Sequence, residues 1–293
     1  MNLEKFSIVE KQAATMHWPV LIVGSNSSGK TFALENMPAE DKKRTMVLNF
    51  DNKPIGLKTD EFAAVFSISS SKDKLEEQLA ALPPEADEYR KHFKKVIAST
   101  YFMDDVESVD KVVKHILKAT FSPKIDRIVV DSFTNLDLFA EYWGQANAPD
   151  SRAGWGLYGA ALQQIMQAVK EATIFGFKFT YVYGHHSFIP AAQYDTTPKK
   201  VTEVKGNIMK GNVETGFNTI IYSHRLECGT IVYECDSANQ MDTSRTKLVD
   251  TKFRFERTSL DDIEQLLNHK KKVVDGKLVE LDYVAPKKPK EDK

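Results

Sequence analysis

Along the chain, short apolar runs rich in β-branched residues alternate with longer segments whose apolar positions recur every three to four residues. Strands alternating with helices around a mainly parallel sheet give that pattern. The first run, Trp18-Pro19-Val20-Leu21-Ile22-Val23, precedes a polar, glycine-rich stretch and the helix-like Thr31-Phe32-Ala33-Leu34-Glu35. Residues 45–50 read as a second strand ending at Asp51, and residues 62–69 as a third. Residues 74–82 look helical and stop at Pro83-Pro84, Val96-Ile97-Ala98 suggests another strand, and Val109, Val112, Val113, Ile116 and Leu117 mark one face of a helix. Asp126-Arg127-Ile128-Val129-Val130-Asp131-Ser132 is a β-branched run closed by a carboxylate.

Beyond that run the pattern loosens. Residues 133–156 hold Gly144, Pro149, Gly154 and Gly156 among aromatics and are expected to be irregular, with Trp143 and Trp155 filling the core beneath a long loop or, alternatively, stacking on bases. A helix with Ala161, Leu162, Ile165, Met166 and Val169 on its apolar face follows, then a strand over 177–183 tipped by Gly184-His185-His186. Residues 187–213 read as a long polar loop, 217–222 and 230–234 as an antiparallel edge hairpin, and 261–267 as a short helix capped at Thr258/Ser259. These boundaries divide the chain into a lead-in segment (1–17), a core (18–268) and a basic C-terminal tail (269–293) whose end is expected to be disordered.

The polar stretch after the first strand is Gly24-Ser25-Asn26-Ser27-Ser28-Gly29-Lys30-Thr31, a full match to G-x-x-x-x-G-K-[ST] between a strand and a helix. Glycines at the two fixed positions let successive backbone N–H groups turn inward on phosphate oxygens. Lys30 would reach the β- and γ-phosphates of ATP, and the Thr31 hydroxyl would take a position on Mg²⁺. Asp131, about a hundred residues further on, would hold the same ion from across the cleft. Asp51, Asn52 and Lys53 at the end of the second strand are candidates for the nucleotide site, and His185 or His186, at the tip of the strand beside Asp131, is a candidate to sense a γ-phosphate or orient water.

Charge refines the reading without supplying a partner. The formal net charge is −1, with 42% hydrophobic and 28% charged residues, so any affinity for nucleic acid must come from local patches. One such patch is the 187–213 stretch, where Lys199, Lys200, Lys205 and Lys210 stand near Phe188, the ingredients of a single-strand contact. Cys228 and Cys235 could face each other across the hairpin turn, but reduced thiols in a cytoplasmic setting are expected, and with His224 they match no zinc spacing. No apolar run has the length of a membrane span, and no targeting signature is read at the N-terminus.

With the glycine loop, Asp51, the Asp131 strand, the histidine-tipped strand and the Lys/Gly-rich loop in this order, the chain resembles the RecA-like core ATPases over roughly residues 16–257, most of all the small phage-encoded AAA or Sak-type recombination ATPases. The resemblance implies an α/β RecA-like P-loop NTPase core, with a mainly parallel central sheet flanked by helices and an antiparallel C-terminal edge hairpin. It further implies an ATPase bound to ATP and Mg²⁺, assembly into a ring or filament, single-stranded DNA and a single-strand-binding protein as partners, and a role in recombination, annealing or replication. A cation supplied by a neighbouring subunit is expected too, with Arg225, Arg245, Lys247 and Arg254 as candidates. The chain departs from the family where a glutamate commonly follows the second strand's aspartate by two residues, because that position is Lys53. Either hydrolysis is slow, or Asp51 or another carboxylate polarises the water. A small-molecule kinase and a nucleotide-regulated assembly or packaging ATPase are the competing functions.

Overall fold

The structure, a computed structural model, describes residues 19–51, 60–83, 86–176, 178–189, 199–204, 213–236, 252–256, 259–268 and 271–280. Its centre is a 9-stranded sheet. In chain order the strands are β1 (Val20–Val23), β2 (Thr45–Asn49), β3 (Ala64–Ser69), β4 (Thr100–Phe102), β5 (Arg127–Asp131), β6 (Phe179–Gly184), β9 (Thr219–Arg225), β10 (Ile231–Asp236) and β11 (Lys252–Glu256). Across the sheet they lie in the order β11-β10-β9-β1-β6-β5-β2-β3-β4. Every neighbouring pair from β9 to β4 is parallel, whereas β10 runs antiparallel to β9, and β11 to β10. This is the mainly parallel α/β sheet flanked by helices expected from the sequence, with antiparallel strands at one edge.

The central strands are apolar through their middles because both faces of the sheet are covered. β1, β2 and β5 are buried at every position, and the edge strand β11 alternates buried and exposed residues instead. On one face lie the helices α5 (Ser108–Thr120), α6 (Phe133–Asn147) and α7 (Ser151–Ile174), whose Val112, Ile116, Phe139, Leu162 and Ile165 join Leu21, Leu48, Ile128 and Val130 in one core. The opposite face is covered by α1 (Lys30–Glu35), α8 (Asp261–Leu267) and the hairpin of β12 (Lys271–Val274) and β13 (Lys277–Glu280), with Leu34, Ile263 and Leu267 on Ile22, Val47 and Val129. Fully burying one such side chain contributes roughly 1.5–3 kcal/mol, so the two faces together fix the sheet. Short helices α2 (Ala39–Lys42) and α3 (Lys72–Ala80) complete the connections before β2 and after β3.

Three sequence expectations change. Val96-Ile97-Ala98 ends a helix, α4 (Asp87–Ala98), and the strand β4 begins just beyond it. With Tyr89 and Phe93, the apolar residues Val96 and Ile97 follow helical spacing, and the Ser99 hydroxyl closes the helix by donating to the Lys95 and Val96 carbonyls at 3.0 and 3.1 Å.

The stretch 133–156 is regular: α6 and the start of α7 occupy nearly all of it, and the Asp150 carboxylate caps α7 by accepting from the Ala153 N–H at 2.8 Å. Gly144 and Gly154 are contact points between these helices. A Cβ on Gly144 would stand 2.6 Å from the Gly154 carbonyl oxygen, and one on Gly154 would stand 2.7 Å from Gln145 Oε1. Glycine here shortens the distance between two backbones, which a local sequence window reads as turn propensity. Trp143 is buried and donates through Nε1 to the Asp105 carbonyl at 3.0 Å, while Trp155 is 38% exposed and meets Tyr158 edge-on.

The loop expected over 187–213 contains a β-hairpin, β7 (His186–Ile189) with β8 (Lys199–Thr202), in register from His186 opposite Thr202 to Ile189 opposite Lys199. The two cysteines are free: Cys228 is exposed in the β9–β10 turn and Cys235 is buried within β10.

Candidate nucleotide site

The parallel register sets the site. β1 lies between β6 and β9, and one strand, β6, separates it from β5, so the loop after β1, the end of β5 and the tip of β6 meet at one rim of the sheet. The Gly24 N–H extends the β1–β6 ladder by donating to the Gly184 carbonyl at 3.1 Å. Gly24 tolerates no side chain, because a Cβ would stand 2.4 Å from Ser28 Oγ and 2.5 Å from the Ser223 carbonyl oxygen. Ser27 and Gly29 adopt positive φ, 62° and 75°, turning the loop before α1 starts. From β9, the Ser223 hydroxyl donates to the Ser28 carbonyl at 2.8 Å and braces the loop from behind.

Side chains converge in front of the loop. Lys30 is buried, with Nζ donating to the Gly24 and Ser25 carbonyls at 2.9 and 3.0 Å and to Ser28 Oγ at 3.3 Å. The Thr31 hydroxyl donates to Asp131 Oδ2 at 2.7 Å, which joins the two ends of the site expected to hold Mg²⁺. Asp51 leaves β2 beside Asp131, its N–H donating to the Asp131 carbonyl at 2.9 Å. Asn135, in the first turn of α6, donates through Nδ2 to Asp51 Oδ1 at 2.6 Å and to Ser132 Oγ at 3.2 Å. Asn26, Ser27, Gly29, Lys30, Thr31, Phe32, Glu35, Asp51, Asp131 and His185 line a cleft of about 360 Å³.

The hydroxyl and carboxylate oxygens of Thr31 and Asp131 are hard donors that suit Mg²⁺. Among the described residues no group of three His, Cys, Asp or Glu is placed to hold a metal ion. His185 borders the cleft, its N–H donating to Thr134 Oγ1 at 3.2 Å and its carbonyl accepting from the Glu203 N–H at 2.8 Å. His186 is the first residue of β7, paired with Thr202 of β8. Burial first, then the charges of Lys200, His224 and Lys30, push its imidazole below the ordinary histidine value.

The remaining expected site residues are dispersed. Lys200 sets its ammonium 4.0 Å above the Tyr222 ring. Lys199 stands on β8 and Phe188 on β7. Arg225 ends β9 on an exposed position, and Arg254 is exposed on β11 with Nε 3.8 Å from Glu234. Asn52, Lys53, Lys205, Lys210, Arg245 and Lys247 lie outside the described residues. Sequence reasoning missed Asn135, Thr134 and Ser223, and gave no role to Phe32 or Glu35. The signal for Asn135 was its place four residues after Asp131, one turn into a helix that the glycines disguised.

A glycine loop with lysine and hydroxyl at its exit, opposite a carboxylate on a strand one removed, defines a P-loop nucleotide-binding protein. Residues 16–255 match the model of a family described as an AAA domain, and the chain belongs to that family. No curated protein matches the sequence. Among solved structures the chain is similar to the RadB recombinase, at 14% identity and a TM-score of 0.42 over 82% of this chain and 86% of that one. It is also similar to a KaiC-like protein of the hyperthermophilic archaeon Pyrococcus horikoshii OT3, at 12% identity and a TM-score of 0.33 over 83% and 80%.

Proposed function

We propose that the protein is an ATPase that uses nucleotide binding at this cleft to control its grip on single-stranded DNA, in recombination, annealing or replication, and that it is phage-encoded and works in the host cytoplasm. The observation that carries the ATPase reading is the 2.7 Å contact of Thr31 with Asp131, beside a phosphate loop and with Asp51 on the same cleft wall. Lys30 and the loop amides hold the triphosphate, and Thr31 and Asp131 hold Mg²⁺, which when bound offsets charge on the phosphate oxygens. Asp51, aimed by Asn135, orients the attacking water and takes over the role expected of a glutamate at position 53.

Two observations support coupling to DNA. β8 carries Lys199 and Lys200, with Lys205 and Lys210 later in the sequence, and it is tied to the cleft by the Glu203 N–H on the His185 carbonyl. Thr202 also packs over Gly184, where a Cβ would come within 2.9 Å of its Cγ2. A change at the γ-phosphate end would therefore reach the lysine-bearing hairpin through one backbone contact. Among the described residues no arginine lines the cleft. A cation from a neighbouring copy in a ring or filament would complete the site, with Arg225, Arg254, Arg245 and Lys247 as candidates. A single-strand-binding protein would share the DNA.

The test is phosphate release with and without single-stranded DNA for the native chain and Lys30→Ala, alongside binding to a labelled oligonucleotide. Stimulation by DNA, tighter binding with ATP and loss of both in the variant are expected. Turnover without any ATP effect on DNA affinity or assembly size would leave the ATPase and remove the DNA role.

A further inference from the structure

The phosphate loop fixes which part of the nucleotide meets which part of α1. Lys30 and Thr31 belong to the β- and γ-phosphate end and the loop amides to the α- and β-phosphates, so sugar and base leave the loop along the cleft flank of α1. The side chains bordering the cleft there are Phe32 and Glu35, three residues apart and so on one helix face.

Both are unusual for a short helix packed on a core. Phe32 is 50% exposed although Ala33 and Leu34 beside it are fully buried, and its ring stacks on no described residue. The Glu35 carboxylate is half-buried and has no hydrogen-bonding or ionic partner among the described residues. An aromatic face and a carboxylate acceptor, side by side at the mouth of a phosphate site, match the two faces that an aminopurine offers: a flat π-surface and an exocyclic N–H donor.

We infer that Phe32 and Glu35 form the base subsite of the cleft, with adenine lying on the Phe32 ring and its 6-amino group donating to the Glu35 carboxylate. The inference rests on the nucleotide reading above and adds base recognition to it. It also gives a reason for keeping a large apolar side chain half in water.

Isothermal titration calorimetry separates the two readings, with Mg·ATP, purine riboside triphosphate, which lacks the 6-amino group, and inorganic tripolyphosphate as probes. Phe32→Ala is expected to weaken ATP about tenfold, the size of a lost base stack, and to leave tripolyphosphate unchanged. Glu35→Ala is expected to lower ATP to the affinity of purine riboside triphosphate and to leave the latter unchanged. Variants that bind ATP as the native chain does, or that lose ATP and tripolyphosphate in equal measure, would overturn the base subsite. A native chain that binds tripolyphosphate as tightly as ATP would also remove it while the phosphate site stood; one that binds neither would remove both.

Discussion

The two ends of β5 are four residues apart, both buried, and opposite in character. At its start Arg127 is enclosed: Nε and Nη2 donate to the two oxygens of Glu264 on α8, the latter at 2.6 Å, Nη1 donates to Asp41 at 2.9 Å, and Tyr181 donates to Glu264 at 3.1 Å. Burial alone would lower the pKa of Arg127, but the Glu264 hydrogen bonds and the fields of Glu264 and Asp41 outweigh it and hold the charge. At the other end Asp131 and Asp51 sit together on an open cleft, both carboxylates, steadied by the Thr31 hydroxyl and the Asn135 amide. One strand thus ends in a closed cluster, where two carboxylates share one arginine directly, and in an open cleft, which two aspartates line together with Lys30. A buried cluster closed on itself serves the fold, because it ties α8 to the sheet; carboxylates turned to an open cleft can meet a cation from outside.

The comparison breaks most severely at the closed end. Arg127→Met would leave Glu264 and Asp41 without their shared cation and is expected to cost about 3–5 kcal/mol in urea unfolding, whereas nucleotide affinity of the folded fraction stays the same. Replacing Glu264 with Leu as well should recover much of the loss. At the open end the effects should fall on activity. Lys30→Ala is expected to lower ATP hydrolysis by roughly 10²–10³-fold, with a melting temperature equal to or above the native one. Equal losses of stability at both ends would erase the distinction.

Smaller perturbations sharpen it. Asn135→Ala frees the Asp51 carboxylate from its donor and should cut turnover about tenfold while ATP affinity, read by calorimetry, holds. A matching loss of affinity would make Asn135 part of binding instead. The smallest effect concerns pH. His186 and His115 both have pKa values lowered chiefly by burial, so below the ordinary histidine value of about 6.5 the unfolded chain takes up protons that the fold resists. Stability is expected to hold above that pH and to decline as pH falls below it toward the folded-state values, and His186→Asn should flatten part of the slope in melting curves. Arg127 keeps its charge throughout this range, but burial raises the pKa of Glu264, so the closed end contributes a slope of the opposite sign as pH falls.

Local chemistry made much of this protein legible. Gly24, Gly29, Lys30 and Thr31 stand in a contiguous motif whose flanks carry the strand and helix that give it meaning, and the β-branched run to Asp131 announces its own strand. Reading failed where one residue type serves two purposes. Gly144 and Gly154 suggested turns and are instead the closest approach of two helices, and that error concealed Asn135. Val96 and Ile97 suggested a strand because three β-branched or small residues in a row were weighed without the helical spacing back to Tyr89.

What the sequence alone determined is therefore periodic or contiguous: the alternation of strands and helices, the phosphate loop and the carboxylate-ended strand. Tertiary structure decided what is distant along the chain. It inserted β6 between β1 and β5, brought Asn135 to Asp51 across 84 residues, and closed Arg127 on Glu264 across 137. The physical reason is that periodicity is enforced by backbone geometry within a few residues. Partnerships between side chains so far apart exist only after both faces of the sheet are buried and its strand order is fixed.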